Sequence, residues 1–417
     1  MSADDKLALD GGRPVRTEPW PTYDKGAVFV DADDEAAGRR ALASRLYFRY
    51  DYRPLHETET GRFEAKLRDF FEVEHALALS SGTAAIALSL MAAGIEPGSE
   101  VACPAFSFTA TPSAVMLAGC KPVLVEVDDE LHFDVADLRR KFSDRMKAIV
   151  VVHMRGFASD IHAVLDFADD VGVPVFEDAV PALGASLNGK RLGTFGVAGA
   201  FSTQSDKSIN TGEGGFLVTN DTALFARAVV LSGAYEGRLK KHFDGADVPG
   251  LSDLDLPLYN FRMDEIRAAV AASAMDRLPL RLKLHHEVYA HVLDGISDLD
   301  VLRVRQPVAP EAYLGESLIF RLADGLGHRA PWFARALCAE GIDARNLGDP
   351  DDVNVRCFWN WRFLFDTDDV DEIKATCPRT ASLLSEAVDV PLSPTLSPED
   401  CDQAVAAIRK VARALTA

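Results

Sequence analysis

Cysteine is scarce: six residues in 417, at Cys103, Cys120, Cys338, Cys357, Cys377 and Cys401. No two of them form a CxxC pair, and no histidine cluster has zinc-finger spacing. A disulfide framework is therefore excluded, no metal is expected, and free thiols in a reducing cytoplasm fit. Long apolar runs are missing too. No stretch approaches the roughly 18 residues that a membrane-crossing helix needs, so a soluble protein without a membrane partner is expected. The opening MSADDKLALDGG lacks a basic segment followed by an apolar one, so no signal peptide is expected there. Positive charge is also in deficit. Against 64 acidic side chains stand 44 basic ones, for a formal net charge of −20. That argues against nucleic acid or an anionic membrane as partner. An anionic substrate held in a local basic pocket stays compatible with it. No internal repeat or low-complexity tract occurs.

What is present is hydrophobic residue in ordinary supply, 48%, enough for a sizeable core. Residues 1–30, with Gly11, Gly12, Pro14, Pro19 and Pro21, read as an N-terminal arm. From about 62 to 220, short apolar runs alternate with helical patterns. HALALS, EVACP, KPVLVEV, KAIVVVHM, VPVFED, AGAFST and GFLVTN read as strands, and GRFEAKLRDFFE, AAIALSLMAAG and DIHAVLDFADDVG as helices. Continuous apolar strands separated by helices predict a mostly parallel central sheet flanked by helices on both faces, a doubly wound α/β fold. Residues 31–260 are assigned to this large domain. Residues 261–417 are assigned to interdomain helical material, broken near Pro279, and a smaller C-terminal α/β domain ending in a helix capped by Ser397.

In such folds ligands sit at the carboxyl ends of the strands. That rule singles out Ser80–Thr83, Pro104–Phe108, His153–Gly156, Glu177–Asp178 and Ser202–Lys207. Lys207 precedes the turn-forming TGEGG. A Schiff-base lysine needs a fixed position and access to a carbonyl, and glycines let backbone pass close to a ligand; alone, a lysine beside glycines is more often a surface residue. Asp178 ends VPVFED, where a carboxylate can pair with a protonated pyridine nitrogen or simply cap a helix. Ser80-Ser81-Gly82-Thr83 opens an apolar helix after a strand, a place where backbone N–H groups bind phosphate or where Ser81 merely caps.

Together these three elements stand in the order found in fold-type-I pyridoxal-5′-phosphate (PLP) enzymes. The stretches SSGTAAIALSL, PGSEVACPAFSFTAT, FEDAVPALGASLNGKRLGTFG, FSTQSDKSINTGEGGFLVTND and YNFRMDEIRAAV resemble the DegT/StrS-type sugar and cyclitol aminotransferase family over nearly the whole chain. The resemblance implies a PLP-dependent aminotransferase of sugar or antibiotic biosynthesis. Glutamate or glutamine would be the amino donor and a keto sugar or cyclitol the acceptor. It implies Lys207 as Schiff-base lysine and proton shuttle, and Asp178 as partner of the pyridine nitrogen. Gly82, Thr83 and Ser202 would hold the phosphate, and Phe108 would stack on the ring. Asn260 would reach the phosphate of a neighbouring subunit, which makes a homodimer with shared sites; Arg262 is a weaker match. One departure stands out: where the family has Gln or His near the ring hydroxyl, this chain has Pro181. That departure keeps a dehydratase or lyase of the same fold as the alternative. A non-catalytic PLP-binding regulator is disfavoured by the intact Lys–Asp pair. His153 could line the site or be a satisfied strand-end histidine. Trp359 and Trp361 could wall an acceptor or pack in the core. Arg155 and Arg362 could bind an anion or form surface pairs.

Overall fold

The computed structural model describes residues 6–21 and 26–416; part of the expected arm 1–30, namely 1–5 and 22–25, lies outside the described residues. After the arm come α1 (Ala32–Ser44), α2 (Glu59–Phe71), β1 (His75–Leu79), α3 (Gly82–Ala92), β2 (Glu100–Pro104), α4 (Ala110–Leu117), β3 (Lys121–Val125) and α5 (Val135–Lys141). Next are β4 (Met146–Val152), α6 (Ile161–Val171), β5 (Val175–Asp178), the small hairpin β6 (Ser186–Leu187) and β7 (Lys190–Arg191), β8 (Ala198–Ser202), β9 (Gly215–Thr219) and α7 (Thr222–Gly233). The remainder is α8 (Glu265–Ala274), α9 (Leu278–Ile296), β10 (Leu302–Val304), β11 (Ser317–Leu322), α10 (Ala330–Ala339), β12 (Arg345–Asn346), α11 (Val370–Lys374), α12 (Pro378–Glu386), β13 (Ala387–Pro391) and α13 (Pro398–Thr416).

Seven strands form the large sheet in the order β1-β9-β8-β5-β4-β2-β3. All neighbours are parallel except the two pairs that involve β9, so six strands share one direction and β9 alone is reversed. The strands read as unbroken apolar runs because both faces are covered. In β4, Ala148 and Val150 pack into the cluster under α3, α4 and α7, while Ile149 and Val151 pack with α5 and α6. In β1, Leu77 and Leu79 go one way and Ala76 and Ala78 the other, against α2 and α8. This is the two-residue alternation of a pleated strand, with an apolar partner waiting on each side.

A second sheet, β10-β11-β13-β12, is antiparallel throughout. It packs with α9, α10 and α13 around Phe320, Phe333, Val388 and Ile408. The helical stretch expected to break near Pro279 breaks just before it: Pro279 falls in the first turn of α9, where its missing N–H costs nothing. Ser397 and Asp400 cap α13 reciprocally, Ser397 N–H donating to Asp400 Oδ2 at 2.8 Å and Asp400 N–H to Ser397 Oγ at 3.2 Å.

Two buried polar clamps join the second sheet's region to the first. Arg305, fully enclosed, donates to the carbonyls of Glu130, Met154 and Leu131 and lies over the Phe157 ring. Glu126, just past β3, accepts from the N–H and hydroxyl of Thr380 at the start of α12. The arm is tied down by buried Glu340, which accepts from Ala8 N–H, Val15 N–H and Lys410. A buried charge costs several kcal/mol unless fully paired, so each clamp fixes its register. No helix among the described residues is long and apolar enough to cross a membrane.

Candidate functional site

The carboxyl ends of β1, β2, β4, β5 and β8 meet at a cleft of about 350 Å³. Its wall holds Ser81, Gly82, Thr83, Phe108, Arg155, Asp178, Pro181, Ser202 and Lys207, which sequence reasoning named, together with Arg356. Asp178 and Ser202 come from adjacent strands, since β5 pairs with β8. Lys207 sits in the loop from β8 to the reversed β9, on a turn closed by Lys207 N–H donating to Gln204 O at 2.8 Å.

The first turn of α3 is open. Ser81 caps the helix, its Oγ accepting from Ala84 N–H at 3.0 Å. Ala85 N–H is the first taken by a helix carbonyl, Ser81 O, so the N–H groups of Gly82 and Thr83 have no partner within the helix, and both residues line the cleft. Two glycines make this turn possible. A Cβ on Gly82 would sit 3.0 Å from Ser202 Cβ and 3.0 Å from Val180 Cγ2. A Cβ on Gly215, in GEGG, would sit 2.5 Å from Gly82 N and 2.6 Å from Phe201 O. The GEGG glycine thus lets β9 abut the helix start while the preceding loop delivers Lys207.

Asp178 is 5% exposed. Burial pushes its carboxyl above the usual carboxylate range, opposed by the Thr111 and Val180 hydrogen bonds and by the charges of Lys207 and His153. Thr111 Oγ1 donates to Asp178 Oδ2 at 2.7 Å, and Val180 N–H donates to Oδ1 at 3.2 Å. A carboxylate held this way, with a lysine across the cleft, suits a cationic ring nitrogen. The donor set fits PLP: free helix-terminal N–H groups and the Ser202 hydroxyl for phosphate, Phe108 (47% exposed) for ring stacking, Asp178 for the nitrogen and Lys207 for the carbonyl.

The other named residues divide. His153 is a satisfied core histidine: its Nε2 hydrogen-bonds Glu177 Oε2 at 2.9 Å and its Nδ1 accepts from Ser159 N–H at 3.2 Å. Glu177 also accepts from Gly193, Phe195 and Gly196 N–H and is structural. Trp359 and Trp361 pack in the core with Phe106 and Phe358 and do not line the cleft. Arg362 is exposed, 3.8 Å from Asp368. Asn260 is exposed and lies outside this cleft. Arg262 donates to Gly233 O at 2.9 Å and is likewise outside. Arg155, by contrast, faces the cleft from a left-handed backbone (φ 56°) and donates to Asp389 at 2.9 Å. Sequence reasoning missed Thr111, Arg356, Glu316 and Asp389. The last three line a second lobe of about 230 Å³ that shares Lys207 with the first. They come from the distant small-sheet region, and no local sequence pattern singles them out.

The DegT/DnrJ/EryC1/StrS aminotransferase family model matches residues 55–409. GDP-perosamine synthase of Vibrio cholerae is 34% identical over 241 residues, 56% of this chain and 62% of that protein. L-glutamine:2-deoxy-scyllo-inosose aminotransferase of Micromonospora echinospora is 36% identical over 226 residues, 53% of this chain and 52% of that protein. The chain thus spans between half and two thirds of the length of these curated relatives. The crystal structure of S. venezuelae DesV superposes with a TM-score of 0.78 at 27% identity, covering 95% of this chain and 99% of that one. The architecture is fold type I of the PLP-dependent transferases.

Proposed function

Because the chain belongs to the DegT/DnrJ/EryC1/StrS aminotransferase family, we propose that it is a PLP-dependent aminotransferase. It moves an amino group from an amino acid, glutamate or glutamine, to a ketone on a sugar or cyclitol. The observation that carries this reading is the convergence of Lys207, Asp178 and the open first turn of α3 on one cleft. The substrate class is supported by the relatives, one named for perosamine, the other for a scyllo-inosose acceptor and glutamine.

Bound there, PLP supplies a carbonyl that captures amines and an electron sink that acidifies the donor's Cα–H. The chain's residues do the rest. Gly82 and Thr83 N–H groups and the Ser202 hydroxyl hold the phosphate, strengthened by the helix dipole. Asp178 holds a proton on the ring nitrogen, because a buried carboxylate is stabilised by the opposite charge. Phe108 covers one ring face and excludes water. Lys207 is the one lysine on the cleft wall among the described residues, and its Nζ takes up and returns the proton at the substrate carbon. Pro181 adds an apolar edge where no side-chain hydrogen bond can form. The match of the YNFRM stretch to the family supports a homodimer in which Asn260, exposed on this chain, serves the partner's site. Residues 31–260 would then form the large PLP-binding domain and 261–417 the interdomain helix and small C-terminal domain, in a cytoplasmic enzyme of secondary-metabolite or cell-surface sugar biosynthesis.

The test is to load the purified protein with PLP and supply L-glutamate or L-glutamine with keto sugars and keto cyclitols. The reading expects stoichiometric 2-oxo acid and aminated acceptor. A deoxygenated product with no amine in it would show the dehydratase alternative instead.

A further inference from the structure

We infer that Arg281, which does not line the cofactor cleft, is a positioning residue for Lys207: it clamps the lysine's loop through the neighbouring Ser208 and so keeps Nζ in reach of the substrate carbon. The inference rests on the aminotransferase reading above.

Lys207 has to leave the cofactor, carry a proton and return, so its side chain must swing from a backbone that stays put. A misplacement of about 1 Å in such a group costs about 100-fold in rate. The loop by itself is a poor anchor. Among the described residues, the hydrogen bonds of residues 205–210 run to Gln204 and Gly212, inside the loop, with one exception. That exception is Arg281, near the start of α9, whose Nη1 donates to Ser208 O at 2.9 Å. Ile209, fully buried, plugs the same stretch into the core under α2 and α8. From the other side the N-terminal arm lies against the loop. A Cβ on Gly26 would fall 1.9 Å from Ser205 O and 2.8 Å from Asn210 Cβ, two residues that flank Lys207. The ring of Phe29 then covers the Arg281 guanidinium, 4.8 Å from the ring centroid. The lysine loop is thus gripped between the arm and α9, and Arg281 touches both.

Stability does not account for an arginine here. Arg281 is 2% exposed, and burial lowers its pKa to about 10. Its Nε has no hydrogen-bond partner, and its guanidinium forms no ion pair among the described residues. Asp34, on the same small cavity, is engaged by Arg277, and Glu316 faces Arg155 at 3.6 Å. A buried cation without a counter-charge is less favourable than an apolar side chain of similar size. What the arginine supplies instead is a charge-assisted bond to the residue after Lys207.

The experiment compares wild type with Arg281→Met, which removes the donor and the charge and keeps an unbranched apolar stem. In the apoprotein, amide hydrogen exchange in the peptide 203–213 should speed up about 10- to 100-fold, the loss of one charge-assisted bond, with exchange in the sheet strands unchanged. The midpoint of thermal unfolding should hold or rise, since an unpaired buried charge is gone. In the PLP-loaded enzyme, the single-turnover rate with L-glutamate, counted per bound cofactor, should fall about 10- to 100-fold with the half-saturating glutamate concentration unchanged. The rate ratio between ordinary and Cα-deuterated glutamate should be at least that of wild type, because proton transfer is the step that suffers. Arg281→Lys keeps a donor for Ser208 O and should recover part of both losses. A rate loss matched by weaker glutamate saturation, faster exchange throughout the chain with a lower midpoint, or an Arg281→Lys no better than Arg281→Met would show a merely structural role and overturn the proposal. If Arg281→Met does not fold, Arg281→Lys and Gly26→Ala decide. Gly26→Ala pushes on the same loop at Ser205 O and should speed loop exchange and slow single turnover, and wild-type values in both variants overturn the proposal. Unchanged loop exchange in Arg281→Met overturns the clamp whether or not the aminotransferase reading stands. A wild type that no amino acid converts overturns that reading, and the proton-transfer role of the clamp with it.

Discussion

Replacing Thr111 by valine removes one hydroxyl and leaves the side chain's shape nearly unchanged. That hydroxyl donates to Asp178 Oδ2 at 2.7 Å and hydrogen-bonds Ser107 Oγ at 2.6 Å, all within the protein. A hydrogen bond to an ionised group contributes about 1.5–3 kcal/mol. Losing the bond therefore raises the Asp178 carboxyl further. Burial has already raised it. Asp178 must be ionised to hold a proton on the cofactor nitrogen, so the acid limb of kcat/KM for the donor half-reaction should move to higher pH. Below that limb the rate should fall at least about tenfold against wild type; well above it the two enzymes should converge. Thr111→Ser keeps the donor and should keep the wild-type profile. Superimposable pH profiles for wild type and Thr111→Val would refute the assignment of Asp178 as the nitrogen's ionised partner.

Gly82→Ala places a Cβ 3.0 Å from Ser202 and Val180 side-chain carbons, at the mouth of the phosphate turn; overpacking of this kind costs about 1–3 kcal/mol. The Kd for PLP, measured by fluorescence titration of the apoenzyme, should therefore rise about tenfold or more, and an unchanged Kd would show that the phosphate binds elsewhere. His132 is a stability prediction. Burial first, then the charges of Arg305 and His153, pushes its pKa down to about 2, and its Nε2 has no hydrogen-bond partner among the described residues. The unfolded chain takes up that proton near pH 6.5 while the folded one refuses it, so this group's contribution falls as pH drops below about 6.5. Urea midpoints at pH 7.5 and pH 5 should differ more for wild type than for His132→Gln, and an equal or larger difference in the variant would contradict the burial argument.

The large sheet was legible because its strands are apolar on both faces: HALAL, VACP and IVVV have nowhere to go but between two helical layers. Lys207, Asp178 and Ser81–Thr83 were legible because each stands just after such a strand, where the fold puts ligands. The reversal of β9 was not, since GFLVT has the same apolar pattern in either direction. The pairing of Thr111 with Asp178 was also out of reach, for it depends on how far α4 tilts toward β5 over a separation of 67 residues. Arg356, Glu316 and Asp389 reach the cleft only because Arg305 and Glu126 dock the second sheet's region against β3 and β4, and no local periodicity encodes that docking. Trp359 and Trp361 show the converse: aromatic residues in a row suit a sugar-binding wall or a core equally, and packing against Phe106 and Phe358 decided for the core.

The aminotransferase reading stands or falls on Lys207 as the residue that carries the cofactor. Borohydride reduction of the PLP-loaded enzyme fixes the lysine-bound cofactor covalently, and peptide mass spectrometry locates it. A single pyridoxyl-modified peptide should carry the label on Lys207, absent in Lys207→Ala along with turnover. Label on another lysine, or a Lys207→Ala variant that still transaminates, would contradict it.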